Sequence, residues 1–270
     1  MTAHTSQTSL VRDVLLEVVD NQHLTPSISI LSLHAPYFAS VLRAGQFLEI
    51  KTSDSLVPLL RRPFSIHRVV GERIEIMVKV FGIGSRQLYH ARQGDRLQTL
   101  APLGNAFSYE REDFEVALLV SGGIGVAPMS MLEEALRARG KAVYNFVGAR
   151  TAEDVVTRYL SNVFVATDDG SLGYKGNVVA LLSEHLERFR GTRVRVFGCG
   201  SNRMLDALCK FCHAHHLACE VSIESMMGCG IGICYGCPIR VRDEAGNVRT
   251  ELLCQYGSVV DARAIVFDEI

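Results

Sequence analysis

The sequence predicts a multi-domain protein that combines β and α/β architecture, with an antiparallel six-stranded barrel followed by a parallel α/β unit and a small C-terminal unit. Short, often alternating apolar runs before residue 100 predict the barrel. A regular alternation of strand and helix patterns after residue 113 predicts the parallel sheet. Cysteines crowded near the C-terminus mark the third unit, and we place the boundaries at 1–112, 113–222 and 223–270.

Six strand patterns occupy the first unit, separated by turn signals such as Ala44-Gly45 and Gly71-Glu72. A helix is expected between Ser85 and Arg92, before the turn at Gly94. The apolar runs cover residues 14–19, 27–33, 46–52, 64–70, 73–80 and 96–100. Six strands of this length suit a small closed barrel.

The second unit reads as strand, helix and strand in repeated succession, which is typical of a parallel sheet covered by helices. We expect strands at 116–120, 142–148, 163–169 and 193–199, and helices at 129–139, 152–160, 178–189 and 204–215. The 270 residues are 48% hydrophobic and 21% charged, which is enough apolar material for cores of this size.

Charge and hydropathy exclude several function classes. The formal net charge is -1 and no long basic run occurs, so we expect neither a nucleic-acid nor a membrane partner. The uncharged run 116–132 is shorter than a bilayer span and is interrupted by glycines and a proline. The polar N-terminus lacks a secretory pattern, so we predict a cytoplasmic protein whose eight cysteines are thiols or metal ligands.

Four cysteines have the spacing of an iron–sulfur site. Cys229, Cys234 and Cys237 follow the pattern C-x4-C-x2-C, and Cys254 follows after sixteen intervening residues, which is the plant-type arrangement for a 2Fe-2S cluster. Interspersed glycines allow the loop to wrap the cluster and to direct backbone N–H groups at sulfur. The alternative is a structural zinc, which more often takes two paired cysteine knuckles.

Two glycine-rich turns are candidates for nucleotide binding. The segment 121–128, SGGIGVAP, follows a strand and opens a helix, where glycines permit a diphosphate to approach the helix N-terminus. It lacks the third glycine of the usual dinucleotide fingerprint, and an ordinary turn is the alternative. Gly198-Cys199-Gly200 ends a later strand of the same sheet.

A second candidate site lies in the barrel. In the segment 61–65, RRPFS, an arginine can pair with a diphosphate, Phe64 can offer an apolar face to a flat ring, and Ser65 can hydrogen-bond a ring atom. The glycine-containing segment 82–86 follows about twenty residues later. Without wider context, a basic strand start followed by a turn explains both segments equally well.

The order of these motifs carries a resemblance that covers nearly the whole chain. RRPFS, VKVFGIGS, SGGIGVAP, GCGSNRML and MMGCGIGICYGC with Cys254 resemble the electron transfer subunits of type B dihydroorotate dehydrogenases, within the ferredoxin reductase superfamily. The resemblance implies an FAD-binding barrel, an NAD-binding α/β unit and a C-terminal 2Fe-2S unit.

The resemblance also implies site residues. FAD would be held by Arg62, Pro63, Phe64, Ser65, Val78, Lys79, Val80, Gly84 and Ser85. NAD would be held by Gly123, Gly125, Pro128, Cys199 and Gly200, with Asp168 and Asp169 as further candidates. The cluster would be held by Cys229, Cys234, Cys237 and Cys254. The preference for NAD over NADP rests on the resemblance, since Lys141 or Arg150 could hold a 2'-phosphate.

By the same resemblance, electrons pass between NAD and a partner flavoenzyme that oxidises dihydroorotate in pyrimidine biosynthesis. The partner would be an FMN-containing catalytic subunit in a heterotetramer of two plus two chains, and we expect no catalytic residue for dihydroorotate oxidation in this chain. An NAD(P)H-dependent reductase subunit for ferredoxin, sulfite reductase or hydrogenase is the alternative. An iron–sulfur redox sensor is an alternative of another class.

Two further groups of residues need an interpretation. After Cys254 the family usually has an acidic residue and Gly-Pro-Val-Phe, whereas this chain has QYGSVV at 255–260. We expect this segment, Ile233 and Tyr235 to face the partner.

The second group resembles a metal site in composition, but its helical spacing indicates packing. It comprises Cys209, Cys212, His213, His215, His216 and Cys219.

Overall fold

A computed structural model describes residues 10–53 and 55–267, and its first unit is a closed antiparallel barrel. The strand order around the barrel is β1-β2-β5-β4-β3-β6, which confirms the predicted six-stranded architecture. A short helix α1 was not predicted, and α2 starts two residues before the expected helix. The elements are β1 Arg12–Thr25, β2 Ile28–His34, α1 Pro36–Val41, β3 Phe47–Lys51, β4 Arg62–Val70, β5 Arg73–Lys79, α2 Ile83–Tyr89 and β6 Arg96–Leu103.

Alternation along the strands fills the barrel interior. Ile66 on β4 and Ile74, Ile76 and Val78 on β5 are fully buried, and their neighbours in sequence face outward. Each such aliphatic side chain contributes about 1.5–3 kcal/mol by leaving water. The outward-facing residues of β4 and β5 are therefore free to contact the second unit.

The second unit is built on a sheet of seven strands in the order β10-β9-β8-β7-β11-β12-β15. The chain runs outward from β7 through β8 to β9 and then returns to β11 beside β7, so the topological switch point lies between β7 and β11. Its elements are β7 Val116–Gly122, α3 Met129–Arg137, β8 Ala142–Ala149, β9 Val163–Thr167, β10 Tyr174–Lys175, α4 Val178–His185, β11 Val194–Cys199, α5 Asn202–Ala214 and β12 Ala218–Ser222.

The C-terminal unit is a three-stranded sheet in the order β14-β13-β16 with the cysteine loop before it. A further strand of this unit, β15, lies outside the three-stranded sheet and pairs antiparallel with β12 at the edge of the larger sheet. The unit is therefore joined to the α/β unit by strand pairing. Its elements are β13 Pro238–Arg242, β14 Val248–Leu252, α6 Leu253–Tyr256, β15 Val259–Asp261 and β16 Ile265–Val266.

The prediction of a helix over residues 152–160 is wrong. Only a 3₁₀ turn at Ala152–Asp154 forms, and Tyr159 adopts a left-handed backbone with φ 67°. Two contacts with the barrel account for this. Asp154 accepts a hydrogen bond from Lys79 of the barrel, and the β-branched Val156 packs into an apolar cluster shared with the barrel. Contacts between units thus replace the helix.

Two further observations complete the fold. None of the helices formed by residues 10–53 and 55–267 is long and apolar enough to span a membrane. The polar N-terminal segment, on which the prediction of no export rests, falls almost entirely on residues 1–9, outside the described part of the chain.

Candidate functional site

A cavity of about 430 Å³ lies where the three units meet. Strands β4 and β5 and the start of α2 form one wall, and the turn after β7 forms the second. The third wall combines Ser222, at the end of β12, and the residues that follow it with Leu253 and Ser258. This cavity, which we call the three-way cavity, therefore lies between the barrel, the glycine-rich turn and the segments next to the cysteine loop and Cys254.

Most of the predicted flavin residues line this cavity. Arg62, Pro63, Phe64 and Ser65 reach it from β4, Lys79 from β5, and Gly84 and Ser85 from α2. Ser85 closes the start of α2, since its Oγ accepts hydrogen bonds from the backbone N–H groups of Phe81 (2.8 Å) and Gly82 (3.1 Å).

The arrangement fits a flat, partly polar ligand with a diphosphate. Arg62 donates from Nη1 to the carbonyl oxygens of Leu60 (2.8 Å) and Arg61 (3.0 Å), which holds its guanidinium beside the cavity. The absence of a side chain on Gly84 lets the start of α2 pack closely on the barrel, since a Cβ there would lie 3.1 Å from Thr52 Oγ1 and 3.4 Å from Arg62 Cγ.

Strand alternation separates the remaining flavin candidates. Met77 and Lys79 line the cavity, whereas Val78 is fully buried in the barrel core and Val80 packs against that core. The side chain of Val78 therefore faces away from the cavity, and only its backbone is on the strand that borders it. Residues 78–80, which the resemblance places together in the flavin site, therefore divide between the two faces of the strand and its end.

The predicted nucleotide turn and Gly198–Gly200 meet at the switch point of the sheet. Gly125 is packed so closely on Cys199 and Gly200 that a Cβ there would overlap the Cys199 carbonyl. Gly123 has φ 55° and open space on its Cβ side. Pro128 is the N-cap of α3, so the positive end of that helix faces the open space. This geometry suits a dinucleotide diphosphate.

The other nucleotide candidates lie elsewhere. Asp168 and Asp169 follow β9, two strands from β7, and line neither the three-way cavity nor the cavity beside residues 200–202 and 224–226. Asp169 Oδ1 instead accepts a hydrogen bond from the Ser171 hydroxyl (2.6 Å). Lys141 precedes β8 at the amino edge of the sheet, where its Nζ donates to the Phe114 carbonyl (2.8 Å). That edge is opposite the nucleotide turn, so Lys141 cannot hold a 2'-phosphate there.

The four cysteines of the loop meet as two pairs. Cys237 and Cys254 lie with their sulfurs 3.3 Å apart, and the Cys234 side chain lies within hydrogen-bond reach of Cys229. Within residues 10–53 and 55–267, no three His, Cys, Asp or Glu side chains converge as ligands of a single ion would. Two pairs of thiols match the demand of a 2Fe-2S cluster, which takes two thiolates at each iron.

Backbone geometry prepares the loop for anionic sulfur. Burial opposes the thiolate of Cys229, but N–H groups of Ile231, Cys234 and Ile233 point at it and lower its pKa to about 7. Gly230 and Gly232 make this possible with φ 69° and 86°, and a Cβ on Gly232 would overlap the Gln255 side chain. Burial and the neighbouring Cys237 raise the pKa of Cys254 to about 12, so that thiol needs a metal to ionise.

A buried carboxyl group lies between the cavity and the cysteine loop. Glu49 on β3 is fully buried, neither oxygen has a hydrogen-bond partner among residues 10–53 and 55–267, and its Cγ would lie 3.1 Å from a Cβ on Gly230. Burial raises its pKa to about 7, with Arg61 and Arg62 opposing the shift and Cys229 adding to it. No sequence pattern predicted a role for Glu49, since it occupies an ordinary strand position.

The structure corrects the interpretation of the segment after Cys254. Gly257 and residues Ser258, Val259 and Val260 are buried, so they do not face a partner, although Gln255 is exposed. Two hydrogen bonds to Asn105 hold the segment in place. The Asn105 side-chain amide donates to the Val259 carbonyl and accepts from the Val259 N–H, each at 2.8 Å.

Ile233 and Tyr235 lie at the surface as expected, with exposed fractions of 74% and 76%. Cys209, Cys212 and Cys219 are buried thiols in the core of the α/β unit, in keeping with a packing role. Several cavity residues lie outside every motif that the sequence offered; they come from the barrel and the C-terminal unit and include Phe47, Met77, Glu224 and Leu253.

Comparison with solved structures defines the class of protein first. A chain of the NADH-dependent reduced ferredoxin-NADP oxidoreductase superposes with a TM-score of 0.82 at 24% identity, covering 95% of this chain and 91% of that one. Phthalate dioxygenase reductase superposes with a TM-score of 0.59 at 17% identity, covering 90% and 77%. The fold is that of the ferredoxin reductases, with an iron–sulfur unit at the C-terminus.

Sequence relatives define the family. Residues 224–266 match the iron-sulfur cluster binding domain of dihydroorotate dehydrogenase B. The electron transfer subunit of dihydroorotate dehydrogenase B (NAD(+)) from Bacillus velezensis is 35% identical over 257 residues, covering 93% of this chain and 97% of the relative. The Enterococcus faecalis subunit is 32% identical with the same coverage. The chain belongs to the family of dihydroorotate dehydrogenase B electron transfer subunits, which are oxidoreductase components.

Proposed function

We propose that this chain carries electrons between NAD and a dihydroorotate-oxidising partner, through FAD in the three-way cavity and a 2Fe-2S cluster in the cysteine loop. One observation supports it most: a single cavity borders the flavin strand, the nucleotide turn and two residues next to the cluster cysteines, Met227 and Leu253. The flavin is the group that exchanges a hydride with nicotinamide and single electrons with a cluster.

We assign FAD to residues 1–112, NAD to 113–222 and the cluster to 223–270, with the described residues as their support. Arg62 holds the FAD diphosphate by charge-assisted hydrogen bonds, and Phe64 and Ser65 orient the flavin ring. Gly84 and Ser85 complete the wall at the start of α2. The turn at Gly123–Val126 and the start of α3 receive the NAD diphosphate, beside Cys199 and Gly200.

The partner in this proposal is a catalytic dihydroorotate dehydrogenase subunit that carries FMN, in an assembly of two plus two chains. The names of the relatives as electron transfer subunits support a catalytic partner. We place the assembly in the cytoplasm, because none of the eight cysteines, all of them among the described residues, forms a disulfide, as is usual in a reducing compartment.

We assign partner docking to the apolar surface around the cysteine loop, which we call the cluster face. Cys234 is exposed there, and Met226, Ile233 and Tyr235 project with exposed fractions of 87%, 74% and 76%. Leu60 extends the face onto the barrel, since its Cδ1 would lie 3.5 Å from a Cβ on Gly228. Concentrated exposed apolar side chains mark an interaction site, and electron transfer requires the cluster to lie near its redox partner.

The test of the function reconstitutes the flow of electrons. The purified chain is expected to contain FAD, iron and acid-labile sulfide, and to oxidise NADH with an artificial acceptor. Dihydroorotate-dependent reduction of NAD⁺ is expected only after the catalytic subunit is added. Turnover of dihydroorotate by the chain alone would contradict the proposal, as would failure to couple to any dihydroorotate dehydrogenase. Coupling to ferredoxin, sulfite reductase or hydrogenase instead would identify a different terminal partner.

The cluster face has its own test. Ile233→Asp is expected to abolish dihydroorotate-dependent NAD⁺ reduction and binding of the catalytic subunit, while the cluster absorbance and NADH oxidation with an artificial acceptor remain. Leu172→Asp is the matched control, because Leu172 is also exposed (45%) but lies near β10, at the opposite edge of the seven-stranded sheet. Equal loss in both variants would show that the face has no special role.

A further inference from the structure

A buried histidine connects the flavin strand to the nucleotide turn. His67 lies two residues after Ser65 on β4, is 1% exposed, and has its Nδ1 2.7 Å from the carbonyl oxygen of Ala127. Ser65 and Ala127 both line the three-way cavity, on opposite walls. His67 therefore spans from one wall of the cavity to the other.

The chemistry of this contact fixes the state of the ring. A carbonyl oxygen only accepts hydrogen bonds, so Nδ1 carries the proton and donates it. Nε2 is buried without a partner in the described residues, and burial lowers the pKa of His67 to about 4. The ring is therefore neutral at physiological pH.

A purely structural role does not account for a histidine here. Leaving the buried Nε2 unpaired carries a desolvation penalty that an apolar side chain of similar size would avoid. The hydrogen bond that Nδ1 makes offsets only part of this penalty. What the imidazole supplies, and an aliphatic side chain lacks, is a directed donor that sets the position of Ala127.

The other polar links across this junction hold it less tightly. Arg68 Nε donates to Glu134 Oε1 at 2.7 Å, and Lys79 Nζ donates to Asp154 Oδ1 at 2.7 Å. Both ion pairs reach solvent, and such pairs stabilise a structure only weakly. His67 is the buried one of the three, and it binds the turn itself, one residue before the N-cap of α3.

We propose that His67 is a positioning residue for hydride exchange, which holds the nucleotide turn at a fixed distance from the flavin strand. The inference rests on the proposed function. In the exchange, the nicotinamide of NADH gives a hydride with its electron pair to FAD, and the products are NAD⁺ and FADH⁻. The reacting atoms must approach to about 3–3.5 Å, and a misplacement of about 1 Å can cost about a hundredfold in rate.

Three variants of the FAD-loaded protein test the role. His67→Asn keeps an amide donor near the position of Nδ1, His67→Gln places its amide near Nε2, and His67→Leu has neither. Anaerobic rapid mixing with NADH gives the limiting rate of flavin reduction, the NADH dissociation constant and the long-wavelength charge-transfer absorbance of stacked nicotinamide and flavin. Hydrogen exchange of the amides of residues 123–128 gives a readout that does not depend on turnover.

The Leu and Gln variants are expected to lose about tenfold to a hundredfold in limiting rate, to weaken the charge-transfer band, and to speed amide exchange in the turn. Their FAD content and NADH dissociation constant are expected to stay unchanged. The Asn variant is expected to recover to within about threefold of the wild type, because it keeps the donor.

Two results would overturn the inference: a wild-type limiting rate in the Leu variant, or equal rates in the Asn and Gln variants. The Asn and Gln comparison decides the matter even when the Leu variant fails to fold. A wild-type protein that binds FAD but is not reduced by NADH would instead refute the proposed function, so the two failures are distinguishable.

Discussion

The two junctions of the barrel differ in how they are built. The junction with the nucleotide unit uses side-chain links, the His67–Ala127 hydrogen bond and two solvent-reaching ion pairs. At the junction with the cluster unit, side chains pack directly on glycine backbone, since a Cβ on Gly45 would lie 2.9 Å from Val259 and one on Gly104 would lie 2.7 Å from Ser258. Hydrogen bonds between Asn105 and Val259, and from Ser258 to the Gly45 carbonyl, add to this contact. In the proposed function, a nucleotide enters and leaves at the first junction, whereas the cluster stays bound at the second.

The largest effect is expected from the cluster itself. Cys234→Ser removes one of two thiolates at an iron and is expected to abolish the iron–sulfur absorbance and all partner-linked activity, while most FAD remains bound. Absorbance spectra with iron and sulfide analysis measure this. Cys209→Ser is the control, because Cys209 is a buried thiol outside the loop. Zinc without acid-labile sulfide in the wild-type protein would contradict the assignment.

The second prediction concerns Glu49, a buried carboxyl group at the cluster junction whose protonation affects the free energy of unfolding. The folded-state pKa of about 7 lies above the usual value near 4.5, so the folded protein binds the proton more tightly. Stability therefore falls as pH rises from about 4.5 to about 7. Glu49→Gln is expected to raise the free energy of unfolding at pH 8 by as much as about 3 kcal/mol, and to have little effect at pH 4.5.

Denaturation midpoints of wild type and variant across this pH range provide the measurement. Glu244→Gln, at an exposed hairpin position, is the control and is expected to change little at any pH. A Glu49→Gln benefit that is independent of pH would show that Glu49 is ionised in the folded protein throughout.

The cavity between the two junctions is tested through Arg62. Arg62→Ala is expected to weaken FAD binding by about 1.5–3 kcal/mol, which is tenfold or more, because a charged hydrogen bond to the diphosphate is lost. NADH binding to the nucleotide turn is expected to change far less. Flavin titration of the cofactor-depleted protein measures the first quantity. Arg61→Ala is the matched control, since the Arg61 guanidinium binds Asp13 on β1. Equal loss in both variants would place the diphosphate elsewhere.

The smallest effect is expected at Asn105, which binds Val259 across the cluster junction through two hydrogen bonds. Asn105→Ala removes both hydrogen bonds to Val259 and is expected to destabilise the protein by about 2 kcal/mol, with both cofactors retained. Thermal denaturation followed at the flavin and cluster bands measures this. Asn247→Ala, in an exposed turn, is expected to change stability by less than about 0.5 kcal/mol. A neutral Asn105 variant would mean that backbone packing alone holds the junction.

Local patterns in the sequence were sufficient for the architecture. Alternating runs predicted all six barrel strands, and the strand and helix succession predicted the parallel sheet, because both depend on periodicities of neighbouring residues. Cysteine spacing predicted the loop for the same reason, since ligands within nine residues are fixed by local backbone geometry. The placement of Gly125 beside Cys199 followed from the chain reversal between β7 and β11.

Contacts between distant segments decided the rest. The expected helix over 152–160 was lost to the Lys79–Asp154 pair and to burial of Val156, neither of which a local pattern records. Residues 257–260 were expected at the surface but are buried, because β15 joins β12 and Asn105 holds Val259. Glu49 and His67 look like ordinary strand residues in the sequence. Their roles arise only where units meet, since burial and missing hydrogen-bond partners are properties of the packed structure.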